Sequence, residues 1–175
     1  MTDRLANHYF DADILLNFFR IHQEKIIIGL INNRFITEQV YKEFLSLCKY
    51  RMGAEVGNRL TFLVEDGRYK LVNKNNFSIS EYLYYQSLLD PQIGRKAIGK
   101  GEASIITMVK FRKGIIVSSN FADVADYAQQ LGLAHIGTID ILKMAFQKGL
   151  ITSEQALRIH SMMIKIGAKL PPLIL

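Results

Sequence analysis

Apolar and polar positions alternate in blocks along the chain, and the blocks change period repeatedly. A short apolar segment, His8 to Asp11, reads as a buried strand and runs directly into a helix-like segment over Ile14 to Ile21, which Asp13 is placed to cap. Glu24 to Ile31 reads as a second short helix and Arg34 to Ile36 as a strand. Thr37 opens a helix to about Tyr50, in which Val40, Phe44, Leu47 and Cys48 form an apolar stripe. A helix over Ala54 to Glu65 ends at Gly67, and Tyr69 to Val72 is strand-like. Ser78 or Ser80 caps a helix to Leu89, and Asp90 to Gly101 reads as a loop. From Gly101 an amphipathic helix is predicted to Arg112. Ile115 to Val117 is the clearest strand in the sequence. Asn120 then caps a helix to Leu131, Ala134 to Ile136 is a strand, Thr138 caps a helix to Phe146, and Ser153 caps one to Ile166.

Strands that alternate with helices almost throughout predict an α/β fold, with a parallel sheet covered by helices on both faces. Right-handed crossovers would put the carboxyl ends of the strands along one sheet edge, where ligands collect. The 175 residues suit one domain with a sizeable core. Residues 54–89 are expected to be a helical insertion. Residues 153–175 are expected to be a terminal helix and an apolar tail.

Composition narrows the function classes. The chain is 49% hydrophobic and 22% charged, which excludes a disordered polymer. Its longest apolar run, near Ile26 to Ile31, is too short to span a bilayer. Asp3, Arg4 and Asn7 interrupt any secretory-signal pattern. A single cysteine, Cys48, forms no internal disulfide, so a core position and a cytoplasmic location are expected. The four histidines lack metal-finger spacing. A net charge of +6 favours polyanionic partners such as nucleic acid or an acidic protein segment.

Four acids sit where a solvated charge does not belong. Asp11 ends the first strand. Glu43 borders the stripe of Val40 and Leu47. Glu102 heads a face shared with Ile105, Ile106 and Val109, and Asp123 lies in the first turn after the strand ending at Val117. Each has an ordinary alternative: Asp11 as a helix cap, Glu102 and Asp123 as complements to a helix dipole, Glu43 reaching to solvent. Four such acids at one sheet edge would repel one another, and a hard divalent cation with oxygen ligands relieves that repulsion. Such a cation suits phosphodiester chemistry.

In order, Phe10-Asp11-Ala12-Asp13-Ile14-Leu15, Val40-Tyr41-Lys42-Glu43-Phe44, Gly99-Lys100-Gly101-Glu102-Ala103 and Ser118-Ser119-Asn120-Phe121-Ala122-Asp123 resemble the PIN-domain family. The later Gly137-Thr138 helix start and Lys148-Gly149-Leu150-Ile151 resemble its bacterial and archaeal branch with a Gly-Glu-Ala motif. The resemblance implies a Rossmann-like three-layer αβα sandwich with a central, mostly parallel sheet, in which an insertion such as residues 54–89 often forms a helical arm for dimerisation or partner binding. It implies an endoribonuclease dependent on Mg²⁺ or Mn²⁺ that leaves a 5′-phosphate and a 3′-hydroxyl. Many such proteins are VapC-like toxins of type II toxin–antitoxin pairs, which implies RNA as substrate, an antitoxin partner and a homodimer.

By motif match Asp11, Glu43, Glu102 and Asp123 are the catalytic set, with Asp11, Glu102 and Asp123 as metal ligands. Asp13, Ser118 and Asn120 would steady those ligands. Arg95, Lys96 and Lys100 are read either as RNA-phosphate contacts or as an ordinary solvated loop. Two departures stand out: Ala12 lacks the family's usual hydroxyl, and Asn120 is neutral where some members carry an aspartate. They keep open a second reading, a PIN-fold module that binds RNA or protein with little catalysis. Asp11-x-Asp13 also resembles the opening of haloacid dehalogenase phosphatases, but Ser118-Ser119-Asn120 lacks the form that family needs. Tyr82, Tyr84 and Tyr85 read as packing residues, and Asp140 as an early-helix acid.

Overall fold

The computed structural model describes residues 6–91, 97–119 and 121–175, without the side chains of residues 51, 121–123, 125 and 126. Five parallel strands form one sheet in the order β3-β2-β1-β4-β5: β1 (His8–Phe10), β2 (Arg34–Thr37), β3 (Lys70–Val72), β4 (Ile115–Val117) and β5 (Ala134–Ile136). Their register pairs Tyr9 with both Phe35 and Ile116, and Ile116 in turn with His135. The strands are short and the central ones are buried on both faces, which is why β1 and β4 read as continuous apolar runs rather than alternations.

Helices flank the sheet in a three-layer α/β sandwich: α1 (Ala12–Phe19), α2 (Glu24–Leu30), α3 (Glu38–Leu47), α4 (Ala54–Glu65), α5 (Ile79–Leu89), α6 (Lys100–Arg112), α7 (Phe121–Leu131), α8 (Thr138–Gln147) and α9 (Ser153–Lys165). Residues 54–89 contribute the edge strand β3 as well as α4 and α5, and they bury Leu60, Tyr69, Val72, Tyr85 and Leu88 in the common core. Cys48 is buried as expected. No helix among the described residues is long and apolar enough to cross a membrane.

Several local features differ from the sequence reading, each for a physical reason. Asp11, not Asp13, caps α1: its backbone is extended (φ −90°, ψ 160°) and its carboxylate accepts from the Ala12 N–H, so Asp13 already lies inside the first turn. Thr152 rather than Ser153 caps α9, its hydroxyl accepting from the Gln155 N–H at 3.2 Å while Gln155 accepts from the Thr152 N–H at 2.8 Å. Helix α3 ends at Leu47 and passes into a π-helical turn over Cys48–Met52. The helix expected to be amphipathic, α6, is buried at Gly101 and from Ala103 through Val109. Its polar positions are satisfied within the helix: the hydroxyls of Ser104 and Thr107 donate to the carbonyls of Gly101 and Ala103.

Candidate active site

Strand order decides where the site lies. The chain runs β1, β2, β3 in one direction across the sheet and then returns beside β1 to continue with β4 and β5. A crevice therefore opens beyond the carboxyl ends of β1 and β4, the switch point of a parallel α/β sheet. Asp11 follows β1 directly, and its N–H donates to the Val117 carbonyl at 2.9 Å, so it prolongs the β1–β4 pairing. Ser118 follows β4 and is held by its own N–H to the Ile136 carbonyl at 3.1 Å. The Ser118 hydroxyl donates to Asp11 Oδ2 at 2.8 Å, and the Ala12 N–H donates to Asp11 Oδ1 at 2.8 Å. Two hydrogen bonds from opposite sides thus orient a buried carboxylate.

The other acids arrive on helices. Asp13, on the first turn of α1, accepts from the Ile14 N–H at 2.6 Å. Glu43 is on α3, one turn beyond the buried Val40. Glu102 is on α6, where its Oε2 accepts from the Gly99 N–H at 2.7 Å. The two glycines of Gly99-Lys100-Gly101-Glu102 give these carboxylates room. A Cβ at Gly99 would come within 2.5 Å of Glu102 Oε2. One at Gly101 would lie 2.7 Å from Glu43 Oε2 and 3.8 Å from Asp11 Oδ1. Ser104, donating to the Gly101 carbonyl at 2.6 Å and bonded to Thr37 at 2.6 Å, ties the start of α6 to the start of α3.

Asp11, Asp13, Glu43 and Glu102 line one cavity of about 350 Å³. Burial pushes the Asp11 carboxyl well above the usual carboxylate range, and the charge of Asp13 adds to it against the Ser118 and Ala12 hydrogen bonds. Burial likewise raises Asp13, despite its backbone hydrogen bonds. It raises Glu43, with Glu102 and Asp13 contributing. Among the described residues none of Asp11, Asp13 and Glu43 forms an ion pair.

The structure thus brings four acids to one cavity, although among the described residues no three acidic, histidine or cysteine side chains stand close enough to grip an ion as they are placed. Desolvated, mutually repelling carboxylates with oxygen donors match the chemistry of Mg²⁺ or Mn²⁺. Helix α7 carries Asp123 in its first turn after β4, but its side chain lies outside the described residues, as do Asn120, Arg95 and Lys96 altogether. Lys100, exposed at the start of α6, borders a neighbouring cleft rather than the acidic cavity.

Three contributors escaped the sequence reading. Asn17 Nδ2 donates to Thr138 Oγ1 at 3.2 Å and to Ser119 Oγ at 3.4 Å, while Ser119 and Thr138 share a hydrogen bond of 2.6 Å. This polar seam joins α1, the end of β4 and the start of α8 beside the cavity. Its one available signal was an asparagine in α1, among the apolar residues that follow Asp13. Thr138 does not cap α8. Gly137 precedes the helix, and Asp140 accepts from its N–H at 2.7 Å, which makes Asp140 the early-helix acid expected. The C-terminal tail supplies another wall through Gly167, Ala168 and Lys169, and Lys169 is the only lysine or arginine among the described residues lining the cavity.

A family model described as a PIN domain matches residues 9–174, nearly the whole chain. No curated protein matches it. The match assigns the nuclease-type fold of that family and sets aside the haloacid dehalogenase resemblance.

Proposed function

The chain belongs to the PIN-domain family, and we propose that it is an endoribonuclease that hydrolyses RNA phosphodiesters with the help of Mg²⁺ or Mn²⁺. The observation that carries this reading is the single cavity at the β1–β4 switch point lined by Asp11, Asp13, Glu43 and Glu102. Asp11 and Glu102, joined by Asp123 from the first turn of α7, would hold the cation. When bound, it polarises the phosphate, lowers the pKa of a coordinated water and steadies the leaving oxygen.

The chain's own residues do the rest. Ser118 and the Ala12 N–H hold Asp11 in one orientation, and the Gly99 N–H does the same for Glu102. Glu43, its carboxyl raised by burial, is suited to accept a proton from the attacking water. Asp13 adds negative potential beside Asp11, and Asn120, next after Ser119 in the sequence, is given its part in steadying the ligands by the motif match alone. In-line attack leaves a 5′-phosphate and a 3′-hydroxyl. The finer reading is the toxin of a type II toxin–antitoxin pair, acting in the cytoplasm as a homodimer.

The test is RNA cleavage by the purified protein with Mg²⁺ or Mn²⁺, compared with an EDTA control. The wild type cleaves only with metal, and Asp11→Asn and Glu102→Gln lose cleavage while keeping the wild-type circular dichroism. Full activity in either variant would sink the assignment. Ala12 in place of the family's usual hydroxyl, with the neutral Asn120, favours a second reading, a PIN-fold module that binds RNA or protein with little catalysis. RNA binding without cleavage under any metal would establish it.

A further inference from the structure

The acidic cavity is the first of three hollows that follow one another across the surface. The second, about 820 Å³, shares Glu43 with the first and is bordered by Lys42, Lys74 and Lys100. The third, about 430 Å³, shares Lys74 with the second and is bordered by Phe77, Ile79 and Tyr82. Glu43 and Lys74 therefore mark the two boundaries along a row of adjoining hollows. Its chemistry changes in order, from carboxylates to ammonium groups to an aromatic and aliphatic floor.

Different elements build the path. Lys42 and Glu43 come from α3, Lys100 from the start of α6, Lys74 from the 3₁₀ turn Lys74–Asn76 after β3, and Tyr82 from α5. The second acid of that hollow beside Glu43, Glu38, is already engaged: its carboxylate accepts from the Lys42 ammonium and, at 3.1 Å, from the Lys74 backbone N–H. The three tyrosines of α5 divide by role. Tyr85 is buried and Tyr84 packs edge-on against Phe111 with centroids 5.8 Å apart, whereas Tyr82 is 41% exposed. The Lys74 ammonium lies over the Tyr82 ring, 5.1 Å from its centroid, so a cation and a partly exposed ring stand together. Ile79, beside them, is 81% exposed.

We propose that this path is the track of a single-stranded RNA substrate. The scissile phosphodiester sits in the acidic cavity, neighbouring phosphates lie along Lys100, Lys42 and Lys74, and an unpaired base stacks on Tyr82. A lysine-lined groove ending on an exposed ring is the combination that holds single strands. A duplex keeps its bases stacked internally and has none to offer Tyr82. The track rests on the ribonuclease reading for its orientation, because only that reading places a scissile bond at the acidic end.

Binding and cleavage are measured separately, on a fluorescein-labelled ten-nucleotide single strand and on its duplex. In EDTA, fluorescence anisotropy is expected to show the single strand bound more tightly than the duplex. Tyr82→Ala weakens single-strand binding roughly tenfold or more, the loss of one stacked base. Lys74→Gln flattens the slope of log affinity against log salt by about 0.7, the loss of one phosphate contact. With Mn²⁺, both variants raise KM and leave kcat unchanged, and their melting temperatures stay at the wild-type value. Wild-type affinity in both variants, or a preference for duplex, overturns the track even where cleavage is normal. Single-strand binding with these dependences but no cleavage under any metal supports the track and overturns the ribonuclease reading instead.

Discussion

Ser118 reaches the chemistry only through another residue. Its hydroxyl is fully buried and donates to Asp11 Oδ2, opposing the burial that drives the Asp11 carboxyl upward. Ser118→Ala removes that donor without altering any carboxylate. The expected result is a loss of about 10- to 100-fold in Mn²⁺ affinity, the usual weight of a group that orients a ligand. Titration calorimetry reads it directly, and Ser118→Thr, which restores a hydroxyl, recovers most of the loss. If Ser118→Ala binds Mn²⁺ as the wild type does, the hydroxyl serves packing alone. Sequence could place Ser118 after a strand. It could not reveal the bond to Asp11, which spans 107 positions and exists only because β1 and β4 are neighbours.

Between elements, the contact of α6 with α3 decides how the carboxylates sit. Gly101 is helical, and its role is one of space rather than backbone freedom. An added Cβ would meet Glu43 Oε2 at 2.7 Å and Val40 Cγ2 at 3.3 Å. The first is the far end of a flexible side chain and moves cheaply. Alanine is also the better helix former by about 1 kcal/mol. Gly101→Ala should therefore leave stability within about 1 kcal/mol of wild type while displacing the Glu43 carboxylate. A displacement near 1 Å in a catalytic group costs on the order of 100-fold in rate. Thermal melts and kcat measured on the same preparation test this split. A proportionate fall in both would mean that α6 as a whole had shifted.

The same contact shows what was legible in sequence and what was not. The alternation of elements, the strand at Ile115–Val117 and the placing of Asp11 after a strand and of Glu43 and Glu102 beside apolar stripes could all be read, because apolar periodicity and end signals are local. The burial of α6 could not: Ser104 and Thr107 look like an exposed polar face, yet their hydroxyls are satisfied by the helix's own carbonyls. Nor could the choice between Asp11 and Asp13 as cap, since it turns on one pair of backbone angles. The seam of Asn17, Ser119 and Thr138 lay beyond reach because it joins three elements far apart in the chain.

For the molecule as a whole, the site joins segments far apart in the chain. Asp11 and Asp13 come from the beginning, and Gly167, Ala168 and Lys169 from the segment after α9. That segment is held by Arg20, which donates to the Ile166 carbonyl at 2.8 Å, and by His160, 2.9 Å from the Pro171 carbonyl, with Leu170 and Leu173 packed on the core. A cation bound among the acids would consequently stabilise the whole fold. Ligand that binds only the native state adds about 2.7 kcal/mol at a hundredfold excess over its Kd. For a domain of this size that corresponds to a rise of roughly 5–10 °C in melting temperature. Scanning fluorimetry of EDTA-treated, desalted protein titrated with Mn²⁺ should show this rise. Asp11→Asn should abolish most of it, because the carboxylate at the centre of the cavity is then neutral. Lys169→Met should preserve or enlarge it by removing the one positive charge that the described residues bring to the cavity wall. An identical rise in wild type and Asp11→Asn would place the cation elsewhere on the molecule, and no rise at saturating Mn²⁺ would remove the cation from the site.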